Sequence, residues 1–133
     1  QIPGVGLLTA TALAASAGDS SNFRSGRHMA AWLGLTPREF SSGNRPVLGH
    51  ISKRGDVYVR TLFVHGARTA LLQAQRIAKS KPESLTRLQR WAIDLNARVG
   101  HNKAAVGLAN KMARAAWAVW HHNRTFNGSF AAA

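Results

Sequence analysis

Apolar residues return every three or four positions along most of the chain and strict alternation is scarce, so the pattern predicts helices. Residues 7–17, LLTATALAASA, are rich in Ala and Leu and stop at Gly18, the residue type that commonly follows a helix C-terminus. A second helix is predicted over 25–33, with Ser25 as its N-cap, Met29, Ala30, Trp32 and Leu33 at its apolar positions and Gly34 at its end. Asp56 opens a long helix to about Lys79, an acidic residue at the positive end of the dipole. Its apolar stripe is Val59, Leu62, Phe63, Ala67, Ala70, Leu71, Ala74 and Ile77, with Arg60, Arg68, Gln75 and Arg76 largely outside it.

KSKPES breaks that helix, and Pro82 with Glu83 is expected to open the next in the usual first-turn positions. There Leu85, Leu88, Ala92, Leu95 and Val99 alternate spacings of three and four, predicting a face packed on neighbouring helices. After Gly100 a last helix carries the core stripe Ala105, Leu108, Met112, Ala116, Val119 and Trp120, with Lys103, Gly107, Asn110, Lys111 and Arg114 on another face. The fold expected is all-α, about five helices in one domain.

From Leu35 to Gly55 the periodicity stops, in a stretch rich in Gly, Pro, Arg and Lys. A structureless connection this long inside a compact domain is uncommon unless it is functional or disordered. Within it, VLGHI fits either a turn of helix or a short strand.

Charge adds a partner class. Against 18 Lys and Arg stand five Asp and Glu, a formal net charge of +13. Such an excess attracts polyanions, which puts nucleic acid first and an anionic membrane surface second. No stretch approaches the roughly 20 apolar residues of a spanning helix, the start lacks the basic leader of a signal peptide, and there is no cysteine for a disulfide or thiolate site. The composition therefore fits a cytoplasmic protein. A chain without an initiator Met that opens directly on a turn is expected to be a piece of a longer protein.

Three segments carry candidate chemistry. In IPGVGLLTATAL, the turn Gly4, Val5, Gly6 feeds a helix whose first N–H groups can receive phosphate oxygens; it resembles the hairpin of helix-hairpin-helix modules, and its plain reading is a glycine turn before a core helix. The basic loop and the helix start after it gather Arg38, Arg45, His50, Lys53, Arg54 and Arg60, interleaved with glycines that permit close approach to phosphate. Lys103, Lys111 and Arg114 add a basic helix face. The loop also holds Ser41 and Ser42. A serine hydroxyl needs a base, a cation or leaving-group stabilisation to act as a nucleophile; neighbouring arginines could stabilise a phosphoryl transition state, although Ser-Gly pairs are also ordinary turn chemistry.

Two-metal chemistry needs convergent carboxylates, and the five here, at 19, 39, 56, 83 and 94, are dispersed. No metal site is expected in the chain. His121 and His122 adjoin a helix end and read as capping or surface residues, and the four Trp read as packing before base stacking.

Taken together, PGVGLLTATAL, FRSGRHMAAWLGLTPREFSSG, LGHISKRGDVYVRTLFVHGAR and NKAAVGLANKMARAAWAV resemble the C-terminal transposase domain of insertion-sequence recombinases with an N-terminal RuvC-like DEDD domain, a group similar to the pilin gene invertase and including bridge-RNA-guided elements. The resemblance covers nearly the whole chain in consistent order. It implies a two-part active site, in which acidic residues of the RuvC-like domain hold Mg²⁺ and a serine attacks the DNA phosphodiester. The serine before a glycine after GLTP is Ser42 here, with Ser41 as the fallback. It further implies DNA and a guide RNA as partners, homo-oligomerisation of the full-length protein, a nucleoid-associated location in a bacterium or archaeon, and inactivity of this segment without the RuvC-like domain. The competing class is a non-catalytic DNA- or RNA-binding module in which the serines only shape a loop.

Overall fold

The structure, a computed structural model, describes residues 2–39, 48–51 and 56–126; for 37–39 and 48–51 it describes the backbone alone. Five α-helices account for most of it: α1 (Leu7–Ala17), α2 (Gly26–Trp32), α3 (Val57–Ser80), α4 (Arg87–Val99) and α5 (His101–His122). Two short 3-10 turns, Ser20–Asn22 and Pro82–Ser84, precede α2 and α4. The all-α expectation holds.

α3 and α5 form the central pair. The α3 stripe Val59, Phe63, Ala67, Ala70, Leu71 and Ala74 is buried, as its spacing predicts. It meets an α5 face made mostly of alanine, with Leu108 and Met112 among Ala104, Ala105, Ala109 and Ala113. Small side chains suit a close approach of the two helices, and Phe63, Leu71 and Met112 are fully buried in the core they share. α2 and α4 pack along α5, and α1 packs on α3.

The caps explain most boundaries. Ser25 accepts from the His28 N–H at 3.2 Å and starts α2. α2 ends in a Schellman arrangement: Gly34 (φ 76°) donates to the Ala31 carbonyl and Leu35 to that of Ala30, each at 3.0 Å. Asp56 accepts from the Val59 N–H at 3.0 Å and from the Ser16 hydroxyl at 2.8 Å, tying the end of α1 to the start of α3.

Two expectations change. Pro82 and Glu83 do not open α4; they form a separate 3-10 turn, Leu85 is extended, and the helix starts at Arg87 on a capping box between Thr86 and Gln89. Val99 leaves the core stripe and is 41% exposed, because α4 reaches its end there. Of the two readings offered for VLGHI, the strand is the one seen over Leu48–Ile51: this β2 pairs antiparallel with β1 (Pro37–Glu39), with a register irregularity between Pro37 and Glu39.

Candidate nucleic-acid interface

The residues proposed from the sequence fall into three places. Arg38 stands on β1 and His50 on β2, so the ribbon draws together the two ends of the basic loop. Ser41, Ser42 and Arg45 lie in the chain between the strands, and Lys53 and Arg54 between β2 and α3; all five are outside the described residues. Arg60, on the first turn of α3, is half-buried and donates to the Leu33 carbonyl at 3.5 Å, toward the end of α2.

At the N-terminal turn, Val5 donates to the Ile2 carbonyl at 3.0 Å, with Pro3 and a positive-φ Gly4 (81°) between them, the pattern of a type II turn. Gly4 lies against the backbone of Gly66 in mid-α3, so closely that a Cβ on either residue would collide with the other's carbonyl oxygen. The glycine thus has a packing reason of its own. Val5 packs partly buried against the core, while Gly6 is exposed and caps α1 without a side-chain acceptor. Leu7, 86% exposed, and Leu8 follow it, so the open first turn of α1 faces solvent.

The basic face of α5 is more enclosed than its sequence spacing suggests. Lys103 is exposed near the start of the helix. Gly107 is pressed by α4: an added Cβ would stand 2.9 Å from a Leu95 methyl and 3.7 Å from the Trp91 ring. Lys111 lies with its ammonium 4.4 Å from the centroid of Trp91, a cation–π contact. On the other flank Asn110 donates to the Leu35 carbonyl at 3.1 Å, Trp117 to the Ser20 carbonyl at 3.1 Å, and a Cβ on Gly26 would stand 3.0 Å from the Arg114 carbonyl oxygen.

Lys111 and Arg114 therefore share a strip of α5 between α4 and α2. Burial lowers the Lys111 pKa, and the charges of Arg114 and Arg87 lower it further. Burial also lowers that of Arg114, with Arg27 acting in the same direction. The Arg114 Nε is buried without a hydrogen-bond partner among the described residues. Arg27 and Arg87, both exposed, are the members of this group that sequence reasoning missed. Arg27 sits in a short apolar helix and Arg87 at a helix start placed too early, so no periodicity linked them to α5.

Other groups behave structurally. His121 stacks on Trp117 at 4.5 Å and lies 3.2 Å from the Ser20 hydroxyl, while Trp32 packs against Phe23. Among the described residues no three His, Asp or Glu come together as a metal site, and no helix is long and apolar enough to cross a membrane.

Residues 1–82, from the N-terminal turn through α3, match the family model described as the Transposase IS116/IS110/IS902 family. The chain belongs to that family. Family relatives extend the match across α4 and α5: a probable family 20 transposase of Pseudomonas aeruginosa is 48% identical over 118 residues, 89% of this chain and 33% of the relative. The transposase for insertion sequence element IS1111A of Coxiella burnetii is 46% identical over 126 residues, 95% of this chain and 33% of the relative. That for element IS1328 of Yersinia enterocolitica is 40% identical over 126 residues, 95% of this chain and 36% of the relative. The chain thus spans about a third of the length of these family members. No solved structure matches it.

Proposed function

We propose that this chain is the part of a DNA transposase that supplies the serine nucleophile for strand cleavage and exchange and grips the nucleic-acid backbone. Membership of the transposase family is the observation that carries this reading. Ser42, or failing it Ser41, lies in the connection from β1 to β2, whose paired ends bring Arg38 and His50 onto one ribbon by backbone register.

In the proposed step the serine Oγ forms a bond to a DNA phosphorus and the bond to the 3′ oxygen breaks. The serine proton leaves to a base or water, and the 3′ oxygen takes up a proton as it departs as a hydroxyl. The product is a phosphoserine link, which keeps the ester-bond energy for rejoining. Positive side chains of the loop would offset the negative charge on the phosphoryl oxygens of the transition state.

The residues described do not fit a Mg²⁺ site. Asp19 and Asp56 already accept local hydrogen bonds, and Glu83 and Asp94 stand apart and exposed on other elements. The metal belongs, on this reading, to a RuvC-like domain elsewhere in a full-length homo-oligomeric protein, with a guide RNA supplying sequence recognition and this segment inactive alone. The N-terminal turn, with the open first turn of α1, is the helix-hairpin-helix-like backbone contact in this scheme.

Replacing Ser42 in the full-length protein tests the assignment. With Ser42→Ala the covalent protein–DNA adduct and recombination disappear while DNA affinity stays within about twofold, the behaviour of a nucleophile that binding does not require. Recombination by that variant at the wild-type rate rules Ser42 out. Absence of an adduct with the wild-type protein favours a non-catalytic binding module.

A further inference from the structure

Lys111 and Arg114 stand three positions apart on α5, close enough to be surface neighbours on a helix. Packing fixes what flanks them. The near-contact of Gly26 with the Arg114 backbone sets α2, and with it Arg27, beside one edge of the strip. The contacts of Trp91 with Lys111 and of Leu95 with Gly107 set α4, and with it Arg87, beside the other. Among the described residues, the charges that shift Lys111 and Arg114 are those of Arg27, Arg87 and Arg114, all positive.

A half-buried cation next to other cations is costly unless an anion joins it, and such groups normally find a carboxylate or a hydrogen-bond acceptor. Here the Arg114 Nε is buried and has no hydrogen-bond partner among the described residues, and Glu83 before α4 and Asp94 on it are exposed rather than drawn into the strip. Four cations from three helices outnumber the charge of one small anion but suit a polyanion with repeating phosphates. Trp91 is covered by Lys111, so its ring offers no free platform for base stacking, and the chemistry is that of backbone recognition.

We infer that the strip of α5 between α2 and α4 is a seat for the DNA phosphodiester backbone, with Lys111 and Arg114 on its floor and Arg27 and Arg87 on its rims. This rests on the reading of the chain as a DNA-handling transposase segment, and it is independent of which serine is the nucleophile.

The test uses full-length protein carrying Ser42→Ala, so that binding is read without cleavage. Affinity for a duplex DNA of mixed sequence is measured by fluorescence anisotropy across a salt series, with a duplex RNA of the same length beside it. The exposed rim pair Arg27→Gln with Arg87→Gln leaves the packed floor untouched. It should weaken DNA binding similarly for unrelated sequences and lower the slope of log affinity against log salt by about 1.8, close to 0.9 per lost phosphate contact. The control pair Arg76→Gln with Lys79→Gln, which removes the same charge from the exposed end of α3, should keep the wild-type slope.

A rim pair that keeps the wild-type slope overturns the seat, as does a control pair that lowers it equally. A slope lost for RNA but not for DNA overturns the assignment to DNA. If the parent protein shows no salt-dependent DNA affinity at all, the transposase reading itself fails, a result distinct from a failure of the rim variants.

Discussion

Gly66 shows how much one hydrogen can decide. Its missing side chain lets the N-terminal turn lie directly on the α3 backbone, where Gly4 also needs its positive φ of 81°. Gly66→Ala would favour the helix by propensity, yet the new methyl has no space unless the turn moves away. Overpacking of this kind costs about 1–3 kcal/mol, so a lowering of the thermal midpoint by roughly 4–20 °C is expected for a domain near this size. Thermal unfolding followed by circular dichroism checks it, and an unchanged or raised midpoint would show that the contact is slack. From the sequence, Gly4 reads as part of a turn that presents helix N–H groups to phosphate, or as a plain glycine turn before a core helix. Its packing partner lies 62 positions away, a relation no local pattern carries.

At the scale of elements, what the sequence made legible is what neighbours in the chain decide. α1 and α3 match their predicted spans within a residue or so, since Gly18 and Asp56 mark their ends by chemistry that acts over one turn. At the start of α4 two signals compete. Pro82 and Glu83 are acceptable first-turn residues, but Thr86 and Gln89 satisfy each other's backbone N–H groups and fix the start at Arg87. Thr86→Ala should therefore cost about 1 kcal/mol, measurable as a shift of the denaturation midpoint at constant slope. Thr86→Ser should retain most of that stability. The ribbon was half legible: strands of three and four residues in a Gly- and Pro-rich stretch are too short for a period to show, and pairing alone defines them.

On the scale of the whole molecule, the net charge of +13 favours the polyanion partner proposed above but does not say where it would bind. Helical spacing brought Lys111 and Arg114 together, while Arg27 and Arg87 join them only through the packing of α2 and α4 on α5. Self-repulsion among so many cations destabilises the folded state, and it is screened over about 10 Å at 0.1 M ionic strength. The thermal midpoint should accordingly rise between about 0.01 and 0.15 M sodium chloride, by less when Arg27 and Arg87 are both Gln. A midpoint that falls with salt over this range would mean that attractive surface pairs outweigh the repulsion.

The contact of Gly26 with the Arg114 backbone makes the distance between α2 and α5 a property of two main chains rather than of side-chain rotamers. The gap between charges on those helices is therefore set like a ruler at the moment of folding. Gauge and charge can be altered separately: Gly26→Ala would widen the gap with every cation kept, whereas Arg27→Gln would leave the gauge and remove one mark. A ligand that reads spacing responds to the first change, and one that reads only total charge responds to the second.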